Sequence, residues 1–286
     1  MRIDSHQHFW IYNPERDRWI TDEMSILRRD FLPGDLIPHL QANRIDRSVA
    51  VQADQSEQET RFLLALADRH PQIAGVVGWV DLCSSNVNQR LEYFSQFHKL
   101  RGVRHIVQSE PDDRYVLRDD FCAGIAALRS FNFTYDILIY PKQLPAAIEL
   151  VERFPEQPFV VDHIAKPPIR TGAISTWAQH MRRIAQNRQV YCKVSGLITE
   201  ADWQNWHEEN FKAYLDLVFE AFGTERLMFG SDWPVCLLAG PYDRVKALID
   251  HYVEQLSAAQ QRRIFGENAI RFYGLKTSHR EPATAR

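Results

Sequence analysis

The sequence predicts a single α/β domain, a (β/α)8 TIM-type barrel with a C-terminal closing helix. Three observations carry that reading. Eight short β-rich runs recur along 286 residues, each followed by a helical pattern. The runs begin every 25–45 residues or so, which suits a strand plus a right-handed crossover helix of about 30 residues. Several runs, such as IAGVVGWV and PFVVDH, are almost continuously apolar, as parallel strands covered by helices are. A doubly wound sheet is the rival. It would carry a glycine-rich phosphate loop after its first strand, and none is present; only 12 of the 286 residues are glycine.

Composition narrows the class further. Hydrophobic residues make up 45% and charged residues 25%, which excludes an intrinsically disordered chain. Lys plus Arg is 34 against 37 Asp plus Glu, a net charge of −3 that offers nothing to nucleic acid. No apolar stretch approaches the 18 or so residues of a membrane span, so no membrane partner is expected. MRIDSHQHFW lacks the apolar core of a secretory leader. Cys83, Cys122, Cys192 and Cys236 form no C-x-x-C pair, which fits reduced thiols and a cytoplasmic location.

The strands are expected, in order, at residues 2–8, 47–53, 73–81, 102–108, 133–139, 159–163, 190–195 and 226–231. Helical patterns fill the intervals at 35–42, 58–69, 87–97, 119–131, 143–154, 174–186 and 208–222. A further helix follows the last strand at 242–256, and 258–273 closes the chain. The barrel is therefore expected over 1–275, with 276–286 a disordered tail.

In such a barrel, chemistry sits at the C-terminal ends of the strands. The first run ends Asp4-Ser5-His6-Gln7-His8, and residues two apart share a face, so His6 and His8 project together with Asp4 below them. Two neutral imidazoles side by side suit Zn or another first-row metal. The sixth run ends in His163, where ordinary packing rarely needs a histidine; Asp162 is expected to face the other way. The eighth opens into Gly230-Ser231-Asp232-Trp233-Pro234, and Asp232 can bind a metal, take a proton from water, or both. Arg104 on the fourth run either meets substrate or bridges neighbouring strands. Asp136 on the fifth is a substrate contact or a buried partner, and Lys193 and Ser195 share a face of the seventh. Trp10, Tyr140 and Trp233 gather near the same ends, as a small-molecule pocket requires, whereas Trp79 reads as packing.

The segments DSHQHFW, RGVRH, VVDHIAKP, KVSGL, FGSDWPV and FGENAIRFYGL, in this order, resemble the amidohydrolase superfamily. The likeness is to its sugar-lactonase branch, the L-fuconolactonase and L-rhamnonolactonase-like proteins, with 2-pyrone-4,6-dicarboxylate lactonase as a relation. The resemblance spans residues 4–275. It implies a hydrolase opening a sugar lactone to the aldonic acid, with Asp232 as general base and His163 beside it. It carries over His6, His8 and Asp232, with His163 as a further candidate, as metal ligands, and Arg104, His105 and Lys166 as substrate contacts. Strand four offers Gly102-Val103-Arg104 where many relatives have a metal-bridging lysine, so one divalent ion (Zn or Mn) or metal-free catalysis is implied. The alternatives are a dicarboxylate lactone hydrolase, a metal-dependent decarboxylase, or a non-catalytic barrel binding sugar acids. The expected partner is a small sugar lactone; a homodimer is compatible with the sequence, which does not fix the oligomeric state. The 9–32 segment after strand one is the expected source of substrate choice.

Overall fold

The structure, a computed structural model, describes residues 1–277. Most of the expected tail, 276–286, lies outside the described residues. Eight parallel strands form one sheet in sequence order: β1 (Ile3–Gln7), β2 (Arg47–Val51), β3 (Ile73–Gly78), β4 (Leu100–His105), β5 (Thr134–Ile137), β6 (Phe159–Val161), β7 (Val190–Val194) and β8 (Leu227–Phe229). The helices between them are α1 (Pro33–Ala42), α2 (Glu57–Arg69), α3 (Val87–Ser95), α4 (Asp119–Leu128), α5 (Leu144–Arg153), α6 (Ser175–Ile184) and α7 (Glu209–Phe222). After β8 come α8 (Tyr242–Val253), α9 (Ala258–Arg262) and α10 (Asn268–Tyr273). All eight expected strands are present, and the fold is the expected barrel.

The sheet closes on itself where β8 meets β1. Ser5 Oγ donates to the Phe229 carbonyl at 2.7 Å, Asp232 N to the His6 carbonyl at 2.8 Å and His8 N to the Trp233 carbonyl at 2.7 Å. With the parallel Gln7–Trp233 bridge these bonds span the seam, which carries no continuous ladder among the described residues.

Each helix forms for a local reason and packs for a periodic one. Ser56 caps α2 by accepting from Glu59 N at 3.2 Å, and Leu63, Leu64 and Ala67 then face inward. Trp177, Met181 and Ile184 make the buried stripe of α6. Two expected helices are interrupted. The 119–131 pattern breaks after Leu128 into a tight turn ended by Asn132 in the left-handed region. The closing helix splits at Arg263–Glu267, a wide turn between α9 and α10.

There are two apolar layers. The larger lies between strands and helices. The smaller fills the barrel floor, where Ile3, Val49, Val77, Val160 and Met228 meet Ala269, Phe272, Tyr273 and Leu275 from the C-terminal segment. The closing helix therefore plugs the end opposite the site. All four cysteines are free, and no helix of the described residues is long and apolar enough to cross a membrane.

One buried carboxyl sits awkwardly. Glu59 accepts from Ala53 N at 2.5 Å, and burial pushes its pKa up to about 7. In the unfolded chain the group titrates near 4.5. Between these values the folded state holds a proton that the unfolded state releases, so stability falls as pH rises through that window. Glu59→Gln should therefore be more stable than the parent above pH 7, by on the order of 2–3 kcal/mol, and gain nothing below about pH 4.5. Urea unfolding at pH 5 and pH 8 checks this; an equal gap at both values would sink it.

Candidate active site

The polar residues of the barrel form two tiers above its apolar floor. The lower tier is a charge network wholly buried inside the strands. Lys193 Nζ of β7 lies 2.5 Å from Asp136 Oδ2 of β5 and 3.0 Å from Asp162 Oδ1, just past β6. Arg104 Nη1 of β4 lies 2.9 Å from Asp162 Oδ2, and its Nη2 donates to the Gln52 carbonyl. Two cations and two carboxylates balance, which is what lets them sit out of water. Burial would raise the Asp162 carboxyl, but Lys193, His6 and Arg104 hold it well below the usual range. Asp136 is raised by burial despite Lys193. From below, the Tyr273 hydroxyl of α10 donates to Asp136 Oδ2 at 2.8 Å.

The upper tier is the candidate site. Asp232 Oδ1 lies 3.3 Å from His8 Nε2 and 3.8 Å from both His6 Nε2 and His163 Nε2. All four residues are buried. Asp4 stands apart, accepting from Ser231 N at 2.9 Å and from the Tyr242 hydroxyl at 3.0 Å. His8 Nδ1 is 2.8 Å from the Val51 carbonyl, an oxygen that can only accept. In its neutral form His8 therefore carries its proton on Nδ1, and its Nε2 presents a lone pair to the site. His163 Nδ1 meets Ser195 Oγ at 2.9 Å, and a hydroxyl can donate or accept. His163 Nε2 can therefore carry a proton. Burial holds His6 and His163 well below the ordinary histidine range, so both are neutral near pH 7. Burial opposes ionisation of Asp232, yet His163, His8 and Lys166 win and lower its pKa. The site thus holds one carboxylate beside the neutral imidazoles of His6 and His163.

A strained turn sets this geometry. His163, Ile164, Ala165 and Lys166 all have positive φ, from 46° to 57°, a left-handed turn with no glycine. Such residues cost about 1–2 kcal/mol each. The turn is held by Trp177 Nε1 donating to the Ile164 carbonyl at 2.8 Å and by burial of Ile164 and Ala165. One expectation is corrected here. Asp162 does not face away: alternation from Val160, which faces the barrel interior, turns it inward, and the left-handed turn that follows brings His163 inward beside it. At the turn's end Lys166 Nζ is 3.4 Å from Glu200 Oε1 and lies over the Tyr140 ring, 5.6 Å from its centroid. Gly196 closes the other side. A Cβ there would come within 2.6 Å of His163 Nδ1, and its φ is +61°. Gly196→Ala should displace the ring from Ser195 and lower kcat by about 10²-fold. Steady-state kinetics beside a melting curve test this; an unchanged kcat in a folded variant would refute it.

The other expected contacts divide. Tyr140 and Lys166 stand at the mouth. Arg104 points inward but commits its guanidinium to Asp162, the Gln52 carbonyl and His6 Nε2 at 3.3 Å, so it partners the site's own residues. His105 is not brought to the site. Strand alternation turns it opposite Arg104, where it takes a bond from Trp79 Nε1 at 3.3 Å, faces Glu110 at 2.7 Å and stacks on Tyr115. Trp233 is buried in packing against Phe9 and Phe31. Trp10 packs on Phe31 and Trp19 and donates to the Arg29 carbonyl. It also lines a cavity of about 400 Å3 with Tyr12, Asn13, Arg16, Asp54 and Glu59, between the loops after β1 and β2. Glu200 was not singled out from the sequence; a carboxylate five residues past Ser195 was the available signal.

The donor set suits a divalent metal ion. One ligand atom each from His6, His8 and Asp232 lies within 4.8 Å of the others, and His6, Asp162 and His163 make a second such group.

Comparison with known proteins agrees with the fold. The amidohydrolase family profile matches residues 3–275. An L-fucono-1,5-lactonase of Burkholderia multivorans is 41% identical over 297 residues, covering 100% of this chain and 99% of its own. An L-fucono-1,5-lactonase of Burkholderia ambifaria is 36% identical over 279 residues, covering 95% of each. A crystal structure of an amidohydrolase from Burkholderia multivorans with bound Zn superposes with a TM-score of 0.94 at 41% identity, covering 96% of this chain and 100% of that one. The chain belongs to the amidohydrolase family.

Proposed function

We propose that this protein hydrolyses a sugar lactone of the L-fucono-1,5-lactone kind, opening the ring to the aldonic acid with Asp232 as general base. One observation carries the reading: a single buried carboxylate faces the Nε2 atoms of three buried histidines. A binding protein has no use for such a base. The full-length likeness to two L-fucono-1,5-lactonases supports the substrate class.

Hydrolysis needs a base, a donor for the developing oxyanion, and a proton for the leaving alcohol. Asp232 takes a proton from the attacking water. His163, in the tautomer whose Nδ1 accepts from the Ser195 hydroxyl, offers Nε2–H to the carbonyl oxygen as it gains charge. Collapse breaks the ring C–O bond, and the proton held by Asp232 passes to the leaving oxygen. Lys166 and Tyr140 orient the sugar at the mouth, and the 9–32 loop with its cavity selects among lactones.

The residues fit a divalent ion, Zn or Mn, held by His6, His8 and Asp232. The lone pair at His8 Nε2 and the shared burial of the three ligands support that assignment. When bound, such an ion supplies Lewis acidity for the lactone carbonyl.

A panel decides. L-fucono-1,5-lactone, an L-rhamnonolactone and a dicarboxylate lactone are assayed by proton release after chelation, then with added Zn²⁺ or Mn²⁺. Turnover of the sugar lactones and not of the dicarboxylate is expected. Tight binding without turnover across the panel would refute a lactonase.

A further inference from the structure

The two nitrogens of His6 face opposite chemistry, and Lys193 and Asp162 compete for one of them. We propose that this pair sets the tautomer of His6 and thereby the affinity of the site for a divalent metal. Lys193 holds the form that cannot ligate through Nε2, and Asp162 holds the form that can. The inference rests on the metal assignment made above for His6, His8 and Asp232.

The geometry is specific. His6 Nδ1 lies 3.1 Å from Lys193 Nζ and 3.4 Å from Asp162 Oδ1. His6 Nε2 lies 3.2 Å from His8 Nε2 and 3.3 Å from Arg104 Nη1. A neutral imidazole has one N–H and one lone pair, an ammonium only donates, and a carboxylate only accepts. If Lys193 donates to Nδ1, the His6 proton sits on Nε2 and points at the lone pair of His8. A closed relay then runs from Lys193 through His6 and His8 to the Val51 carbonyl. Lys193, His6 and His8 are each satisfied along it, Arg104 Nη1 gives up His6 and keeps Asp162 Oδ2, and His6 Nε2 has no lone pair for a cation.

The second form is equally prepared. Asp162 Oδ1 is buried and touches Lys193, yet among the described residues it accepts no well-directed hydrogen bond. It is an acceptor in reserve. If it takes the proton of His6 Nδ1, Nε2 turns its lone pair to Asp232 and His8, and Lys193 keeps Asp136 as partner. Lys193 is held in place from the barrel floor, through Asp136 and the Tyr273 hydroxyl. The carboxylate–histidine pairing that usually fixes a metal ligand is thus present here with a built-in competitor. Lys193 is a positioning residue.

Two measurements test this. Metal-stripped protein labelled with ¹⁵N-histidine gives the tautomer of His6 from two-bond ¹H–¹⁵N correlations, assigned against His6→Gln. The proton is expected on Nε2 without metal and on Nδ1 once Zn²⁺ is added. Lys193→Met should tighten Zn²⁺ binding, read by chelator competition, by about tenfold or more. If that variant does not fold, Lys193→Met with Asp136→Asn removes the stranded charge. A metal-free His6 already protonated on Nδ1, or an unchanged or weakened affinity in the folded variant, would overturn the inference. A parent that takes no Zn²⁺ refutes the metal assignment instead; the inference then survives only if metal-free His6 carries its proton on Nε2 and the Lys193 variant gains binding.

Discussion

Asp232→Asn should lower kcat on L-fucono-1,5-lactone by about 10²–10⁴-fold, the range lost with a general base. The substitution suits the test because it changes little else. Asp232 sits at φ 58°, a left-handed conformation that Asn accepts nearly as well as Asp. Its backbone N–H still donates to the His6 carbonyl, so the β1–β8 seam persists. What goes is the one carboxylate that, among the described residues, faces all three Nε2 atoms and, with it, one metal ligand of the proposed set. Melting temperature should stay near the parent's while proton release collapses. An intact protein hydrolysing at the parental rate would end the proposed role of Asp232.

Arg104→Met should be the most destabilising change in the barrel interior, by about 3–5 kcal/mol, because one partner of a buried pair is removed. Asp162 would keep Lys193 but lose its bond at Oδ2, and the Gln52 carbonyl would lose its donor. A substrate contact at the mouth would behave differently, raising KM and leaving stability nearly untouched. Chemical unfolding of Arg104→Met therefore separates the two readings. A loss under 1 kcal/mol with a large rise in KM would return Arg104 to the substrate.

These contrasts show where local pattern suffices. All eight strands were legible because fully buried parallel strands write themselves as apolar runs. His6 and His8 were legible together because the side-chain period of a strand is two. Asp162 and His163 as neighbours in the interior were not. Alternation takes Asp162 inward with Val160, and His163 joins it only through a left-handed turn built from His163, Ile164, Ala165 and Lys166, residues with no glycine among them to announce it. The same period placed Arg104 and His105 on opposite faces, yet the resemblance suggested both as contacts; the alternation gave the better guide. Trp10 and Trp233 were near the mouth in sequence, but position along a strand does not tell a pocket wall from the packing behind it. The link from Tyr273 to Asp136 crosses 137 residues and leaves no local trace.

The seam between the first and last strands also dictates when the protein becomes competent. His8 and Asp232 are supplied by the two ends of the barrel, so a ribosome-bound chain ending before Leu227 carries both N-terminal histidines and no base to serve them. Pairing elements so distant in the chain is slow compared with forming the local βα units. Recovery of lactone hydrolysis during refolding should therefore lag behind recovery of helical ellipticity, making activity a clock for ring closure.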